Sequence, residues 1–371
     1  MRIALVRETA PGESRVALVP ESVQRLVRAG HHIRVEAGAG ARAGALDADY
    51  QKAGAEVLEG RAAALEGAEL WVRVRRPTLA ELEAAPSGSV LASMVGVESP
   101  DPLLPLLAER RLTFLALERV PRITRAQSMD VLSSQATVAG YKAVLIGAAE
   151  LGKLLPMLTT AAGTLAPARA LVLGAGVAGL QAIATARRLG AVVAGFDVRA
   201  AAREQVLSLG ATFVGPEASA EAEGAGGYAR AQSEEEQAQT RAALAAVLPL
   251  QDLLIATAQV PGRRAPVLVD AAGLASMRPG SVVVDLAAET GGNVAGTRAG
   301  ERVEISGVVV LGPVQLAATV PVDASQMYSR NVLSLVEHLA TKEGALRIDP
   351  EDPITSGLLL TLQGQPHGGP T

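Results

Sequence analysis

The stretch Ala170–Asp197, ALVLGAGVAGLQAIATARRLGAVVAGFD, decides the fold. Ala170–Leu173 is an unbroken apolar run, the pattern of a short parallel strand buried on both faces. Gly174, Gly176 and Gly179 then spell G-x-G-x-x-G, and a helical pattern runs on to Leu189 with Gly190 as its stop. A second apolar run, Ala191–Phe196, ends in Asp197. Strand, glycine turn, helix, strand and acid in one short unit make a dinucleotide cradle. Gly174 permits the tight turn, Gly176 lets backbone approach a pyrophosphate, and Gly179 lets helix and strand pack closely. The helix start offers free N–H groups and a positive dipole end to phosphate. Asp197 lies where an acid accepts the adenosine ribose hydroxyls. A 2′-phosphate there would set like charges within about 4 Å, costing roughly 4 kcal/mol at an effective dielectric near 20. NAD(H) is therefore expected over NADP(H).

The same glycine spacing recurs at Gly38, Gly40 and Ala43, after the strand-like Ile33–Glu36. No acidic strand end follows it at the right distance, so it is read as a decoy. With 38 glycines in an alanine-rich chain, such near-misses arise by chance.

Working outward, the chain of 371 residues has room for about two domains. It is 49% hydrophobic but only 2% aromatic, so the core is built of Ala, Val and Leu. A net charge of −4, with no basic cluster interleaved with aromatics, argues against nucleic acid. The absence of cysteine excludes disulfides and thiolate metal sites and fits a reducing compartment. No signal peptide is visible at Met1–Val6, and the most apolar region, Val144–Ala186, is broken by Glu150, Lys153, Pro156 and Arg169.

The first third alternates strand-like runs (Ile3–Val6, Ile33–Glu36, Leu70–Val74, Val90–Met94, Thr113–Ala116) with helical patterns at Pro20–Ala29, Leu79–Ala85 and Leu103–Arg111. That alternation predicts a second Rossmann-like parallel sheet, without a phosphate-binding turn. Later strands are expected at Thr212–Val214, Leu253–Ala256, Ser281–Asp285 and Val308–Leu311, and long helices at Ser134–Leu151 and Asp323–Ala340, the latter with Asp323 as N-cap. The expected fold is α/β, two doubly wound domains joined by two long helices. Residues 1–133 and 341–371 would form one domain and 134–340 the nucleotide domain. Gly215–Thr240 reads as one Gly/Ala/Glu loop, either a solvated connection or a flap anchored by Tyr228. The Gly- and Pro-rich residues from Gln363 onward are expected to be disordered.

Most NAD-linked dehydrogenases move a proton with the hydride and so need His or Lys beside the nicotinamide. This chain offers only four histidines (His31, His32, His338, His367), none at metal-ligand spacing, and four lysines. The polar cluster that stands out is Arg122–Gln135, RITRAQSMDVLSSQ. Its Arg122, Gln127, Asp130 and Ser133 suit a nicotinamide carboxamide and ribose, but none is a proton shuttle at neutral pH. It reads equally as an ordinary helix start with a capping residue.

Arg122–Tyr141 resembles the signature loop of the NAD(H)-binding component of proton-translocating nicotinamide nucleotide transhydrogenase. The likeness runs through Arg7–Pro20, Gly174–Ala191, Asp197–Ala211, Ala225–Ala229, Val260–Val269 and Met277–Asn293, essentially the whole chain. The Arg7–Pro20 and glycine motifs are shared with its relative, alanine dehydrogenase. The resemblance implies that Arg122, Gln127, Asp130 and Ser133 hold and orient the nicotinamide, Gln127 also reaching the partner's nucleotide. It places Ala175, Gly176 and Val177 at the pyrophosphate and Asp197, Val198 and Arg199 at the adenosine ribose. Gly227 and Tyr228 would belong to a mobile loop closing over NAD(H). Ala258 and Gln259 would line the cofactor, although Gln259 stands where an apolar residue is usual.

Alanine dehydrogenases resemble this chain but carry a Lys in a V-K-E-P turn and a His some twenty residues later. Here the turn is Val74-Arg75-Arg76-Pro77, and Leu91–Val95 has no His. The resemblance therefore implies a proton-translocating transhydrogenase of the Si-specific/Re-specific type, with no metal. NADP(H) would sit on a separate beta subunit and the proton channel on a further chain, as in the split form of the family. A homodimer peripheral to the cytoplasmic face of the bacterial inner membrane is expected. The alternatives are an alanine-dehydrogenase-like amino-acid dehydrogenase and a catalytically silent NAD-binding regulatory subunit.

Overall fold

A computed structural model describes residues 1–96, 102–215, 233–259 and 264–367. They form two compact units, Met1–Gln135 with Ala317–Thr371, and Ala136–Leu316. Each is an α/β unit built on a largely parallel sheet.

In the first unit β1 (Arg2–Leu5), β2 (His32–Glu36), β3 (Glu56–Leu58), β4 (Leu70–Val72), β5 (Val90–Ser93) and β6 (Thr113–Ala116) pair in the order β6-β5-β4-β1-β2-β3. All five pairings are parallel. β4, β5 and β6 are buried at every position, which explains why they read as apolar runs without alternation. Beyond β6 the sheet is extended by an antiparallel hairpin, Leu359–Leu362 with Gln365–Pro366. The C-terminal residues are thus ordered as far as this hairpin, contrary to expectation. Gln363 and Gly364, at φ 49° and 83°, form the two-residue turn that suits the twist of the flanking strands.

The helix Pro321–Leu339 belongs to this first unit, where Tyr328, Val332 and Val336 lie in the core, whereas the sequence places it with the nucleotide half. Tyr328, Val332 and Val336 are four residues apart and share one helical face. Its N-cap is Val320 and not Asp323, which sits in the first turn; Pro321, with φ preset for helix, starts the element two residues early. Buried charge holds the strand ends together. Arg73, 1% exposed, pairs with Glu8 at 3.3 Å and Glu81 at 2.7 Å, and Arg61 reaches Glu81 and Glu36. Burial alone would raise the Glu81 carboxyl, but Arg73, the Thr78 N–H and Arg61 hold it at about 2.

The second unit opens with the long helix Val131–Glu150, most of which lies within it, and a small antiparallel hairpin, β7 (Leu158–Thr160) with β8 (Gly163–Leu165). Its main sheet comprises β9 (Arg169–Leu173), β10 (Val192–Phe196), β11 (Thr212–Val214), β12 (Leu253–Ala256), β13 (Val282–Asp285), β14 (Arg302–Ile305) and β15 (Val308–Leu311). Their order is β11-β10-β9-β12-β13-β15-β14, parallel except for β14 at the edge. Strand order reverses between β9 and β12, the topological switch point at which such sheets bind ligands. Two glycines of the long helix permit close packing: a Cβ on Gly140 would strike the Ala178 carbonyl, and one on Gly147 would lie 2.7 Å from Leu253.

The segment read as one loop, Gly215–Thr240, is divided. Glu234–Ala245 is a helix, its N-cap Ser233 accepting from the Glu236 N–H while the Glu236 carboxylate accepts from the Ser233 N–H. This capping box, S-x-x-E, is legible in the sequence but obscured by the polar composition around it. Residues 216–232, with Gly227 and Tyr228, lie outside the described residues, as do 260–263.

Candidate functional site

The glycine turn follows β9 directly. Gly174 has φ 89°, and a Cβ there would meet the Thr257 hydroxyl at 2.8 Å and the Ala258 nitrogen at 3.1 Å. Gly179, one turn into the helix Val177–Arg188, faces back onto the turn, and a Cβ on it would collide with the Gly174 carbonyl oxygen. Thr257, just beyond β12, donates to the carbonyls of both Leu173 and Gly174, at 3.1 and 2.9 Å. The first and third glycines are therefore required by the fold itself.

Gly176 differs. It is the helix N-cap, with φ −77° and ψ −169°, a conformation open to any residue, and a Cβ on it meets nothing within 4 Å. No side chain caps the helix above it, so the first N–H groups point outward together. Neither packing nor backbone conformation asks for glycine at this position, whereas close approach of a pyrophosphate does. Gly176→Ala is accordingly expected to leave the melting temperature within about 2 °C while weakening NADH about a hundredfold. Thermal denaturation alongside calorimetric titration checks both halves of that expectation.

Asp197 closes β10, 6% exposed, and its carboxylate is crowded with donors. The Ala175 N–H reaches Oδ2 at 2.7 Å, tying the acid to the glycine turn. The Arg199 N–H and Nε reach Oδ1 at 2.9 Å each, and Nη2 reaches Oδ2 at 2.8 Å. Burial alone would raise the Asp197 carboxyl; the Arg199 side chain and the two backbone N–H groups outweigh it and hold the group below its usual value. Val198 is half-buried beside it.

Across the switch point, Ala258 and the exposed Gln259 follow β12. Asn293, fully buried, accepts from the Ala258 N–H at 3.0 Å and donates to the carbonyls of Ala258 and Pro266, both at 2.8 Å. Asp285 in turn accepts from the N–H groups of Ala287, Asn293 and Val294 and from the Thr297 hydroxyl. This two-step support is absent from the sequence reading, because no motif signals it. Gln259 donates to the Leu286 carbonyl at 2.8 Å, giving its side chain a bracing role. The decoy at Gly38 and Gly40 is a packing feature: a Cβ on Gly40 would lie 2.5 Å from the Tyr50 hydroxyl.

The polar cluster Arg122–Gln135 lies in the first unit. Thr124–Met129 is a 3₁₀ turn that buries Ala126 and Met129 and leaves Gln127 exposed, as Arg122 is. Asn331 donates to the Ser128 carbonyl at 2.7 Å, fixing the turn from outside. Asp130 caps the long helix, accepting from the Ser133 N–H at 2.9 Å and its hydroxyl at 2.6 Å. The helix consequently starts at Val131, three residues earlier than expected. Both readings of this segment therefore hold in some measure: Asp130 and Ser133 make a cap, and Gln127 and Arg122 present polar groups outward.

Residues 4–139 match the N-terminal domain, and 143–367 the C-terminal domain, described as alanine dehydrogenase/PNT. The chain belongs to the alanine dehydrogenase/PNT family. Within that family it is 44% identical to the first of the chains that make up the NAD(P) transhydrogenase alpha subunit of Rhodospirillum rubrum, over 98% of this chain and 97% of the relative. The solved transhydrogenase of Sinorhizobium meliloti superposes with a TM-score of 0.89 at 43% identity, covering 99% of this chain and all of that one. The likeness to alanine dehydrogenases is more distant: that of Halomonas elongata is 30% identical over 96% of this chain and 92% of its own. The alanine dehydrogenase/PNT family thus accounts for the whole described fold, with the transhydrogenase alpha subunits nearer to it than the amino-acid dehydrogenases compared.

Proposed function

We propose that this chain is the NAD(H)-binding subunit of a proton-translocating transhydrogenase, transferring hydride directly between NADH and NADP⁺ held on a partner subunit. Its near-complete match to the first chain of a divided transhydrogenase alpha subunit carries the reading. The disposition of proton-bearing side chains supports it. Residues 136–316, which hold the glycine turn, contain no histidine, and Lys153 is paired with Asp252 at 2.8 Å. In the first unit His31 lies against the N-terminal amino group, His338 against Asp352 and Thr355, and His367 against Ser356. Amino-acid oxidation needs a general base; hydride exchange between two nicotinamides needs only alignment of the ring carbons, within roughly 3–3.5 Å.

When bound, NADH supplies the hydride. The protein's own groups hold and orient: Ala175, Gly176, Val177 and the helix N–H groups take the pyrophosphate, and Asp197 with Val198 and Arg199 takes the adenosine ribose. Arg122, Gln127, Asp130 and Ser133 fix the nicotinamide, and Ala258 and Gln259 line the cofactor. Gly227 and Tyr228 close over it. Tyr228→Ala is expected to loosen NADH about threefold to tenfold in calorimetric titration; unchanged affinity would reduce the segment to a plain connection.

The assembly we propose is a homodimer bound at the cytoplasmic face of the bacterial inner membrane, with an NADP(H)-binding beta subunit and a separate proton channel. No helix among the described residues is long and apolar enough to cross a membrane. The β7–β8 hairpin supports a second copy as partner. A two-stranded hairpin is marginal alone in water, yet this one carries Leu158, Leu165 and the adjoining Met157 at 43%, 56% and 63% exposure. The decisive experiment is co-purification with the membrane chains followed by a transhydrogenation assay. Rapid turnover of pyruvate, ammonia and NADH would favour the amino-acid dehydrogenase instead, and no exchange with an NADP(H)-loaded partner would favour a regulatory subunit.

A further inference from the structure

We propose that Arg199 competes with the adenosine ribose for Asp197, so that NAD(H) binds by displacing a guanidinium already seated on the ribose carboxylate. The inference rests on the reading of Asp197 as the ribose acceptor. An ionised carboxylate has about four acceptor positions, and here four N–H groups occupy them at 2.7–2.9 Å. Two are backbone groups that the fold cannot move. Ala175 lies in the glycine turn, and Arg199 is the N-cap of the helix Ala200–Ser208. The other two, Nε and Nη2, belong to a rotatable side chain that is 18% exposed. Ribose hydroxyls donating to this carboxylate must take the places of Nε and Nη2.

The displaced guanidinium stays tethered two residues from the acid, on the side where a 2′-phosphate would project. The next cation along, Arg203, is stacked over Phe213 with its guanidinium carbon 5.4 Å from the ring centre. Arg199 is thus the cation at this carboxylate. Its presence has two consequences of opposite sign. It weakens NADH, because a charge-assisted pair must open before the ribose enters. It also softens rejection of NADPH, because it offsets the carboxylate that would repel the phosphate. A residue that merely stiffened the turn would move both affinities in one direction.

The test is calorimetric titration of the purified chain with NADH, NADPH and reduced nicotinamide mononucleotide, which lacks the adenosine ribose. Arg199→Ala is expected to tighten NADH about fivefold and to raise the NADH-over-NADPH ratio by more than the NADH gain alone. Binding of the mononucleotide should stay unchanged. Arg199→Gln, which keeps the side-chain bulk without the charge, should behave alike and guards against a folding defect in the alanine variant. Weaker NADH binding in both variants, or an equal change for the mononucleotide, would overturn the competition. Asp197→Asn separates this from the underlying reading: unchanged NADH affinity there would remove the ribose site itself, whereas a loss of about tenfold or more with no gain in the Arg199 variants would remove only the competition.

Discussion

Gly179→Ala is expected to destabilise the protein by about 3 kcal/mol, lowering the melting temperature by roughly 6–12 °C, and to abolish measurable NADH binding. The Gly174 carbonyl oxygen lies where the new methyl must go, and the methyl has no room to turn aside because it sits on a helical backbone. Something must therefore yield, and the Gly174 turn is the weaker partner. Its carbonyl accepts from the Thr257 hydroxyl at 2.9 Å, and its own N–H donates to the Phe196 carbonyl at 2.8 Å. Displacing it strips a buried hydroxyl of its acceptor and shifts the Ala175 N–H that fixes Asp197. Stability and binding fall together, in contrast to Gly176→Ala, where only binding should fall. Differential scanning calorimetry on the two variants side by side decides the matter; similar melting temperatures would mean that Gly179 is free of the turn.

The strands were legible where burial on both faces leaves only one reading. β9, β12 and β13 are runs of Val, Leu, Ile and Ala in a parallel sheet, with no polar face to interrupt them. Short edge elements were not. β3 and β14 have mixed burial, and a three- or four-residue run with one buried side carries little periodicity. The C-terminal hairpin was hidden by composition, since Gly and Pro there serve a tight turn and an edge strand, which look like disorder when counted.

The site divides in the same way. Its backbone logic, the glycines and the acid at a strand end, follows from chain spacing and so was readable. Its side-chain logic was not. That Arg199 folds back onto Asp197, or that Asn293 braces Ala258, depends on rotamers and on the approach of loops distant in sequence. Asp130 shows a third case: its acidity and position were visible, yet only the structure shows its oxygens engaged by Ser133 as a helix cap.

Gln127→Asn should slow hydride transfer at least about a hundredfold while leaving NADH affinity within about threefold. The backbone on either side of Gln127 is held: Ala126 and Met129 are buried, Asn331 binds the Ser128 carbonyl, and Asp130 anchors the helix that follows. The side chain itself is exposed, so shortening it leaves this framework undisturbed. Asparagine keeps the carboxamide but withdraws it by one methylene, more than about 1 Å, and a misplacement of that size costs about two orders of magnitude when alignment is the whole of catalysis. Ground-state affinity, dominated by the adenosine and pyrophosphate contacts, has no reason to change. Single-turnover transfer to NADP⁺ on the partner subunit, beside calorimetric titration of the chain alone, separates the two quantities. Equal losses in both would make Gln127 a binding residue. A loss confined to transfer would locate the catalytic contribution of this side chain in the relative placement of two rings, the one requirement a hydride exchange without a substrate proton imposes.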